Sequence, residues 1–410
     1  MRQLRDVVIV GYLRSAFSRA RQKDPEKDVF NNIRADKLGG LVAKELIQRS
    51  GIKPENIDEV IVGAARAEGE QFTWGGKLTS FLAGIPTSVA ANYVDRQCAS
   101  SLTAVDNGAM EIMCGFSDVV LSIGVEHMTH MPIGAMSGSY KGKPVFGPNA
   151  FPHPDLYDDP QYQFLNLQAS FDMGGTAERL GRLAGISRDE MDQWSYRSHH
   201  LAAQAIKEGY FKNEILPIEG TTPDGQKIII DVDQAVRGDT TLEQIKQLKP
   251  AFSADGMITA GNSSTVNTGA SAILLMSREK ANQFGLKPMA SIVSMGWAGV
   301  DPTLMGMGPV PSVRKALQVA GLTVQDIDFW EINEAFAVVP LYAIKELGIN
   351  PDRVNVKGGA VAIGHPLGAT GNRLVGTLAR VLNLEGGKYG VATLCIGGGQ
   401  GAATVIKNEQ

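Results

Sequence analysis

The chain repeats itself, and that repetition constrains its fold more than any other feature. The segment "AKELIQRSGIKPENIDEVIVG" (43–63) is echoed by "VRKALQVAGLTVQDIDFWEIN" (313–333), an offset of 270 residues with Gly51 laid on Gly321. Both read as the end of a helix, a glycine cap, a short loop and a buried strand. A second pair, "GFSDVVLSIG" (115–124) and "GKYGVATLCIGGG" (387–399), recurs at an offset of 272 or 273, so the similarity extends over much of each half. An internal duplication follows. A third pair, "GASAILLMS" (269–277) and "GAATVIKN" (401–408), shows where the copies differ. In the C-terminal copy this strand follows "CIGGGQ" at once, whereas about 145 residues separate Gly124 from Gly269 in the N-terminal copy. An insertion between the last two strands of copy one accounts for the gap.

The insertion opens with "MPIGAMSGSYKGKPVFGPNAFPHPDLYDDPQYQF" (131–164), rich in Gly, Pro and aromatic residues, and continues through amphipathic helices such as "SRDEMDQWSYRSHHLAAQAIKEG" (187–209). Ser187 with Glu190 three residues later has the pattern of a capping box. The expected organisation is an N-terminal core copy at 1–124 completed by 250–282, an inserted loop domain at 125–249, and a C-terminal core copy at 283–410. Strands alternate with helices in each copy, which is the α/β class, and the insertion reads as a lid or substrate-binding subdomain.

Composition excludes some functions. The 410 residues are 43% apolar with a net charge of −4, which gives no basic field for nucleic acid. No apolar run approaches the roughly 20 residues needed to span a bilayer. The start, "MRQLRDVVIVGYLRSAF", runs almost at once into a strand-like stretch with no signal-peptide pattern, and three cysteines make no disulfide framework. A reducing, cytoplasmic location is the expectation.

Polar anomalies collect at equivalent strand ends of the two copies, in "DRQCASS" around Cys98, "EINEAFA" (331–337), "GGAVAIGHPLGATGNR" (358–373) and "LCIGGGQG" (394–401). Cys98 stands where a helix is about to begin. It reads either as a nucleophile, its thiolate favoured by the helix N-terminus, or as a small buried side chain. His365, flanked by glycines and a proline, has too little apolar neighbourhood for a core histidine. Cys395 ends an apolar strand and enters a triple glycine that lets backbone approach a ligand. Asn333 and Glu334 close a buried strand, either as functional groups or as a helix cap. Cys98 with His365 makes a plausible acyl-accepting pair. A second thiol adds an acid/base, which carbon–carbon bond chemistry requires and simple hydrolysis does not.

With these four blocks in this order over nearly the whole chain, the sequence resembles the thiolases. The resemblance implies a thiolase-like duplicated core of two mixed five-stranded sheets layered with helices, an inserted loop domain, and a homodimer or homotetramer. It further implies acyl exchange between thioesters, with coenzyme A and acyl-CoA as substrates and no permanently bound cofactor. By the same resemblance Cys98 is the nucleophile, His365 the base for it and for the incoming CoA thiol, and Cys395 the acid/base at the α-carbon. Asn333 holds a water that with His365 stabilises the enolate, and the N–H groups of Cys98 and Gly397 form the hole for the acyl-enzyme oxyanion. In "VRGDTTLEQIKQLKPAF" Arg237 matches an arginine that packs on the adenine. Ser264 matches a serine on the pantetheine arm, and Met173 and Phe336 match residues lining it. One departure is Asp172 in "SFDMGGTAERL", where short-chain members often carry His.

Other candidates are weaker. Cys114, without a glycine or histidine partner, reads as structural, and His199 and His200 read as solvated on a polar helix face. His127 and His130 lack a carboxylate or cysteine to complete a metal set, so no metal is expected. A ketoacyl synthase, which shares fold and Cys/His chemistry, typically lacks the terminal cysteine and is disfavoured by Cys395 and "NEAFA". A non-catalytic acyl-CoA or lipid-binding relative could dispense with a block, and none is missing. A β-oxidation multienzyme partner would add to the catalytic role. The "RQCASS" and "GVEHMTHMPIGA" contexts favour a degradative 3-ketoacyl-CoA thiolase over an acetoacetyl-CoA-forming biosynthetic one.

Overall fold

In the computed structural model, which describes residues 4–131, 136–140, 143–146, 160 and 167–410, the duplication is visible as two strand sets of the same order. The N-terminal set runs Val7–Ser15, Asn267–Ser277, Val119–His127, Glu59–Gly63, Ala90–Val94. The first three are antiparallel neighbours and the last two join in parallel. The C-terminal set repeats this as Ala290–Gly299, Gln400–Asn408, Tyr389–Ile396 and Phe329–Ile332, with the same alternation of direction. Its fifth position is reduced to a parallel bridge between Trp330 and Val354. The two sets meet edge to edge at Val8 with Ser291 and Ile9 with Ala290.

The helices repeat as well. Ala35–Ser50 and Pro309–Ala320 both end on left-handed glycines, Gly51 (φ 72°) and Gly321 (φ 66°), the two glycines whose alignment defined the repeat. Ser100–Cys114 and Leu367–Glu385 are a second pair, ending on Gly115 and Gly386. These two helices pack on one another in the middle of the molecule, where a Cβ on Gly371 would come within 2.1 Å of the Leu102 backbone nitrogen. Across the same contact the Asn372 N–H donates to Ser101 Oγ at 3.0 Å. Their N-termini therefore open side by side.

The insertion is tied to the core by buried polar contacts. Ile215–Leu216 pairs in parallel with Arg14 and Ser15, and the fully buried Arg14 guanidinium donates to Glu214 at 2.8 Å and to Asp233 at 2.7 Å. Removing one partner of such a buried pair leaves an uncompensated charge and costs about 3–5 kcal/mol. The capping box at Ser187 and Glu190 starts the helix Arg188–Lys207 as its sequence predicts. From that helix Trp194 Nε1 and Ser198 Oγ donate to Glu334 at 2.9 and 2.8 Å. Of the Gly-, Pro- and aromatic-rich stretch 131–164, only Met131, the antiparallel pair Met136–Tyr140 and Lys143–Phe146, and Pro160 are described; the lid expected there otherwise lies outside the described residues.

Candidate active site

Cys98 lies in a single 3₁₀ turn, Gln97–Ala99, directly before the helix Ser100–Cys114. The turn is bent at Gln97, whose φ of 47° is uncommon for a residue with a side chain. Such strain costs on the order of 1–3 kcal/mol and must be held by its surroundings. Here the Gln97 N–H donates to Asp95 Oδ1 at 2.7 Å, its amide to the Ala65 carbonyl at 3.1 Å, and Ser100 Oγ to the Gln97 carbonyl at 2.7 Å. Burial pushes the Cys98 thiol up to about 11, against the N–H groups of Gly397 and of Cys98 itself, which favour the thiolate. Desolvation thus works against the nearby N–H groups and the helix N-terminus, which favour the thiolate.

His365 occupies the equivalent place in the second copy, two residues before Leu367–Glu385. Its backbone N–H and both ring nitrogens are engaged. Its backbone N–H donates to Asn267 Oδ1 at 2.9 Å, which leaves no room for a side chain at Gly364: φ is 106° and a Cβ would lie 2.5 Å from Asn267. The Thr370 hydroxyl gives its proton to the Pro366 carbonyl at 2.9 Å, so its oxygen accepts from His365 Nδ1–H at 2.6 Å. That network assigns the lone pair to Nε2, where Asn333 Nδ2 approaches at 3.3 Å. Burial first, and then the positive charge of Arg373, lower the imidazole to about 3. Burial of both groups favours the neutral thiol and the neutral imidazole.

Asn333 follows the strand Phe329–Ile332, anchored by its N–H on the Thr393 carbonyl at 2.9 Å. Its Oδ1 is buried with no partner among the described residues, an acceptor available to a water or ligand donor. Cys395 sits one residue from the end of Tyr389–Ile396, fully buried, its thiol raised by burial and by Cys98. Glu334 is the residue whose importance the sequence does not show. Its carboxylate accepts from Trp194, Ser198, Asn355 and the Val361 N–H, binding the insertion to the loop that carries His365. Gly359 is required beside it, since a Cβ there would meet the carboxylate at 2.2 Å. Glu126 was also missed. Buried and raised to about 7 by desolvation, it accepts from the N–H groups of Ala65 and Gly368 at 2.9 and 2.8 Å, joining the strand end after Gly63 to the first turn of the His365 helix.

Cys98, His365, Cys395, Gly397, Ser264, Met173 and Phe336 all line one cavity of about 1040 Å³. Sequence reasoning missed several further walls of it, among them Met128, Phe171, Phe252 and Met305, and the short segment Ala20–Asp24. A Cβ on Gly397 would lie 3.7 Å from Met173 Sδ, so the sulfur stands over that backbone. Asp172 also lines the cavity and caps the helix Met173–Ala184 through the Gly175 N–H at 3.0 Å. Arg237 does not line this cavity. It borders an adjoining one of about 380 Å³ that shares Thr265 with the first.

Two minor expectations are overturned. His199 is buried rather than solvated: its Nδ1 accepts the Arg237 N–H at 3.2 Å, and burial lowers it to about 4. His200 is half-buried against Tyr196. The helix face is less polar than its letters suggest because Met191, Trp194, Ala202 and Ala205 pack beside them. Cys114, read as structural, lies exposed at its helix end and does not line the cavity of Cys98 and Cys395. Finally, Glu70 supplies the carboxylate that the sequence did not place near His127 and His130. The two rings are stacked 3.6 Å apart at 8°, so their in-plane lone pairs do not converge. Protein atoms take up the ring nitrogens, with His130 on Glu70 and Asn31 and His127 on the Phe30 carbonyl.

Comparison with known proteins agrees with this geometry. The family profile described as "Thiolase, N-terminal domain" matches residues 7–279, and "Thiolase, C-terminal domain" matches 286–408. A 3-ketoacyl-CoA thiolase of Marinobacter nauticus is 43% identical over 98% of both chains, and one of Vibrio parahaemolyticus is 41% identical over 99% of both. Among solved structures, human mitochondrial 3-ketoacyl-CoA thiolase superposes with a TM-score of 0.86 at 34% identity, covering all of both chains. The acetyl-CoA acetyltransferase of Bacillus anthracis gives 0.85 at 34%, again over all of both chains. The chain belongs to the thiolase family.

Proposed function

We propose that this chain is a degradative thiolase, cleaving 3-ketoacyl-CoA with CoA to acetyl-CoA and a shortened acyl-CoA through an acyl group on Cys98, in fatty-acid β-oxidation. The observation that carries the reading is the convergence of two thiols and one imidazole on a single cavity, with the imidazole's lone pair fixed on Nε2. Relatives at 41–43% identity bear the name 3-ketoacyl-CoA thiolase, which favours degradation over acetoacetyl-CoA synthesis.

The steps follow from the groups in place. His365 Nε2 takes the Cys98 proton as the sulfur attacks the 3-keto carbon, and the N–H groups of Gly397 and Cys98, both near that sulfur, receive the oxyanion. The bond between C2 and C3 then breaks towards acetyl-CoA enolate, whose carbon takes the Cys395 proton. Asn333, through a water, and protonated His365 stabilise the enolate oxygen. His365 returns its proton to the Cys395 thiolate, and its neutral Nε2 then accepts the proton of a second CoA thiol as that sulfur takes the acyl group from Cys98, whose released thiolate recovers the proton from His365. A base of low pKa holds a proton only briefly and hands it on. Residues 125–249 serve as the CoA-binding insertion, with Ser264, Met173 and Phe336 along the pantetheine arm and Arg237 on the adenine. CoA and acyl-CoA are substrates, and the protein needs no resident cofactor.

Assembly as a homodimer or homotetramer belongs to the same proposal. Exposed Phe72, Trp74 and Phe81 beside the edge strand Ala90–Val94 support it.

The test is Cys395→Ala. Acetylation of Cys98 by acetyl-CoA should persist, while thiolysis of a 3-ketoacyl-CoA and exchange of acetyl-CoA methyl protons with deuterated solvent fall together by roughly 10²–10⁴-fold. Near wild-type rates of both would remove Cys395 from the α-carbon step. A wild-type chain that binds 3-ketoacyl-CoA without cleaving it would favour the non-catalytic reading.

A further inference from the structure

The segment Ser18–Asp24 belongs to the core, yet it forms part of the wall facing the insertion. It is held rigidly: Arg19 pairs with Asn267, the Ala20 N–H donates to the Val266 carbonyl at 3.0 Å, and the Arg21 N–H to Thr129 Oγ1 at 2.9 Å. Within five residues it carries Arg19, Arg21 and Lys23, in a chain whose net charge is negative. Arg21 and Lys23 line the cavity that contains Cys98 and His365. Arg19 sits close enough to Arg21 and to Arg237 of the insertion that, after burial, their charges are what lower its pKa. Arg21 and Lys23 on the active-site cavity, and Arg237 on the adjoining cavity that shares Thr265 with it, thus bring positive charge to the same opening from two parts of the chain.

No ion pair among the described residues neutralises them. Among the described residues none of the three arginines has a carboxylate within salt-bridge distance, and Arg21 Nε is buried without a hydrogen-bond partner. Of the acidic groups nearby, Asp24 is paired with Lys27, and Asp239 borders the adjoining cavity with Arg237. Arg179 on the same cavity is different, because it donates to the carbonyls of Thr303 and Ala169. Like charges gathered without counter-ions repel one another, and an anion between them converts that repulsion into charge-assisted hydrogen bonds.

We infer that Arg19, Arg21 and Arg237, with Lys23 at the rim, form a phosphate clamp for the nucleotide end of coenzyme A. This rests on the CoA-dependent reading above and adds a binding role for the core segment, which neither the repeat nor the family motifs assign. The nucleotide end of the ligand, like its pantetheine arm, is then held between core and insertion. Either the diphosphate or the ribose 3′-phosphate has the required chemistry.

The experiment compares KM for four thiols in thiolysis: CoA, dephospho-CoA, 4′-phosphopantetheine and pantetheine. Wild-type protein should show KM rising at least about tenfold along the series, a difference of about 1.4 kcal/mol, and added salt should shrink it. The step at which it rises identifies the phosphate held. In the Arg19→Gln/Arg21→Gln variant the step at the phosphate held should shrink at least about threefold, the difference that remains being that of Arg237, while Arg21→Lys should keep most of the preference. A double variant that retains the wild-type ratios, or a wild type without preference, overturns the clamp and leaves the thiolase reading standing. If wild type cleaves 3-ketoacyl thioesters with none of the four thiols, the thiolase reading itself fails, and the clamp with it.

Discussion

Cys98 and His365 stand at the same place in the two copies, each two residues before a helix, and the two helices pack together. What surrounds them differs. Cys98 is partly exposed and reached by the N–H groups of Gly397 and its own backbone, on a turn strained at Gln97. His365 is buried, and Asn267, Thr370 and Asn333 engage its N–H, Nδ1 and Nε2. Duplication therefore supplies the placement, and the flanking loops supply the chemistry. One end presents a movable sulfur to the cavity; the other presents a ring with a fixed tautomer. The comparison makes unequal demands on substitution at the two ends.

The largest effect should come from Cys98→Ala. It removes the atom that bonds to substrate, and nothing at the His365 end can replace it. Acylation by acetyl-CoA, followed by intact mass, should vanish, and thiolysis should fall on the order of 10⁴–10⁶-fold, the range for losing a nucleophile. Residual acylation at Cys395 would break the assignment of roles to the two copies.

The resting charge state gives a second contrast. A thiol raised to about 11 beside an imidazole lowered to about 3 leaves both groups neutral across the range between. Thiolate at Cys98 then grows tenfold per pH unit. Alkylation of Cys98 in the unliganded protein should rise about 10³-fold from pH 7 to pH 10, with no inflection from His365. A plateau from pH 6 to 8 would mean a thiolate–imidazolium pair instead, and the two ends would be one coupled unit. Mapping the labelled peptide distinguishes Cys98 from the exposed Cys114.

Asn333→Ala sharpens the comparison at its shared edge. The amide contacts the His365 end, while its buried Oδ1 is available to the enolate's water. Thiolysis and methyl-proton exchange should fall roughly 10²–10³-fold, as for loss of one oxyanion-hole donor, with acetylation of Cys98 largely kept. Equal loss of acetylation would place Asn333 with the base rather than with the enolate.

How much of this was legible in the letters depends on sequence distance. The repeat, its glycine caps and the Ser187 capping box are local patterns, so they were readable, as were the four motif blocks. Glu334 was left as either a cap or a functional group, because its donors Trp194 and Ser198 lie about 140 residues away and only the fold brings them together. Asn267 holding His365, and Glu126 joining Ala65 to Gly368, are likewise contacts across separate elements. The balance of effects on the Cys98 thiol was not legible for another reason. A helix start can be read from sequence, but the desolvation that opposes it depends on how the cavity closes around Cys98. His199 was misplaced because two adjacent histidines look polar until the Arg237 backbone is packed against one of them.

The smallest effect expected is also the most specific to the His365 end. Thr370→Val keeps the side chain's shape but removes the oxygen that accepts Nδ1–H at 2.6 Å. The buried N–H is left unsatisfied, and the ring gains freedom to move its proton to Nε2, where it can no longer act as a base. Asn333 Nδ2 still approaches Nε2 and still favours the productive tautomer, so the loss is partial. A fall in kcat of about tenfold, or about 1.4 kcal/mol, is expected for both acylation and thiolysis, with KM for CoA little changed. Thr370→Ser, which restores the oxygen, should recover most of it. The matching change at the Cys98 end is Ser100→Ala, which loses the bonds from the Arg96 N–H and to the Gln97 carbonyl. It should loosen the strained turn and lower thermal stability. If Thr370→Val instead lowers stability and leaves kcat unchanged, Thr370 is packing alone, and Asn333 by itself sets the tautomer at the His365 end.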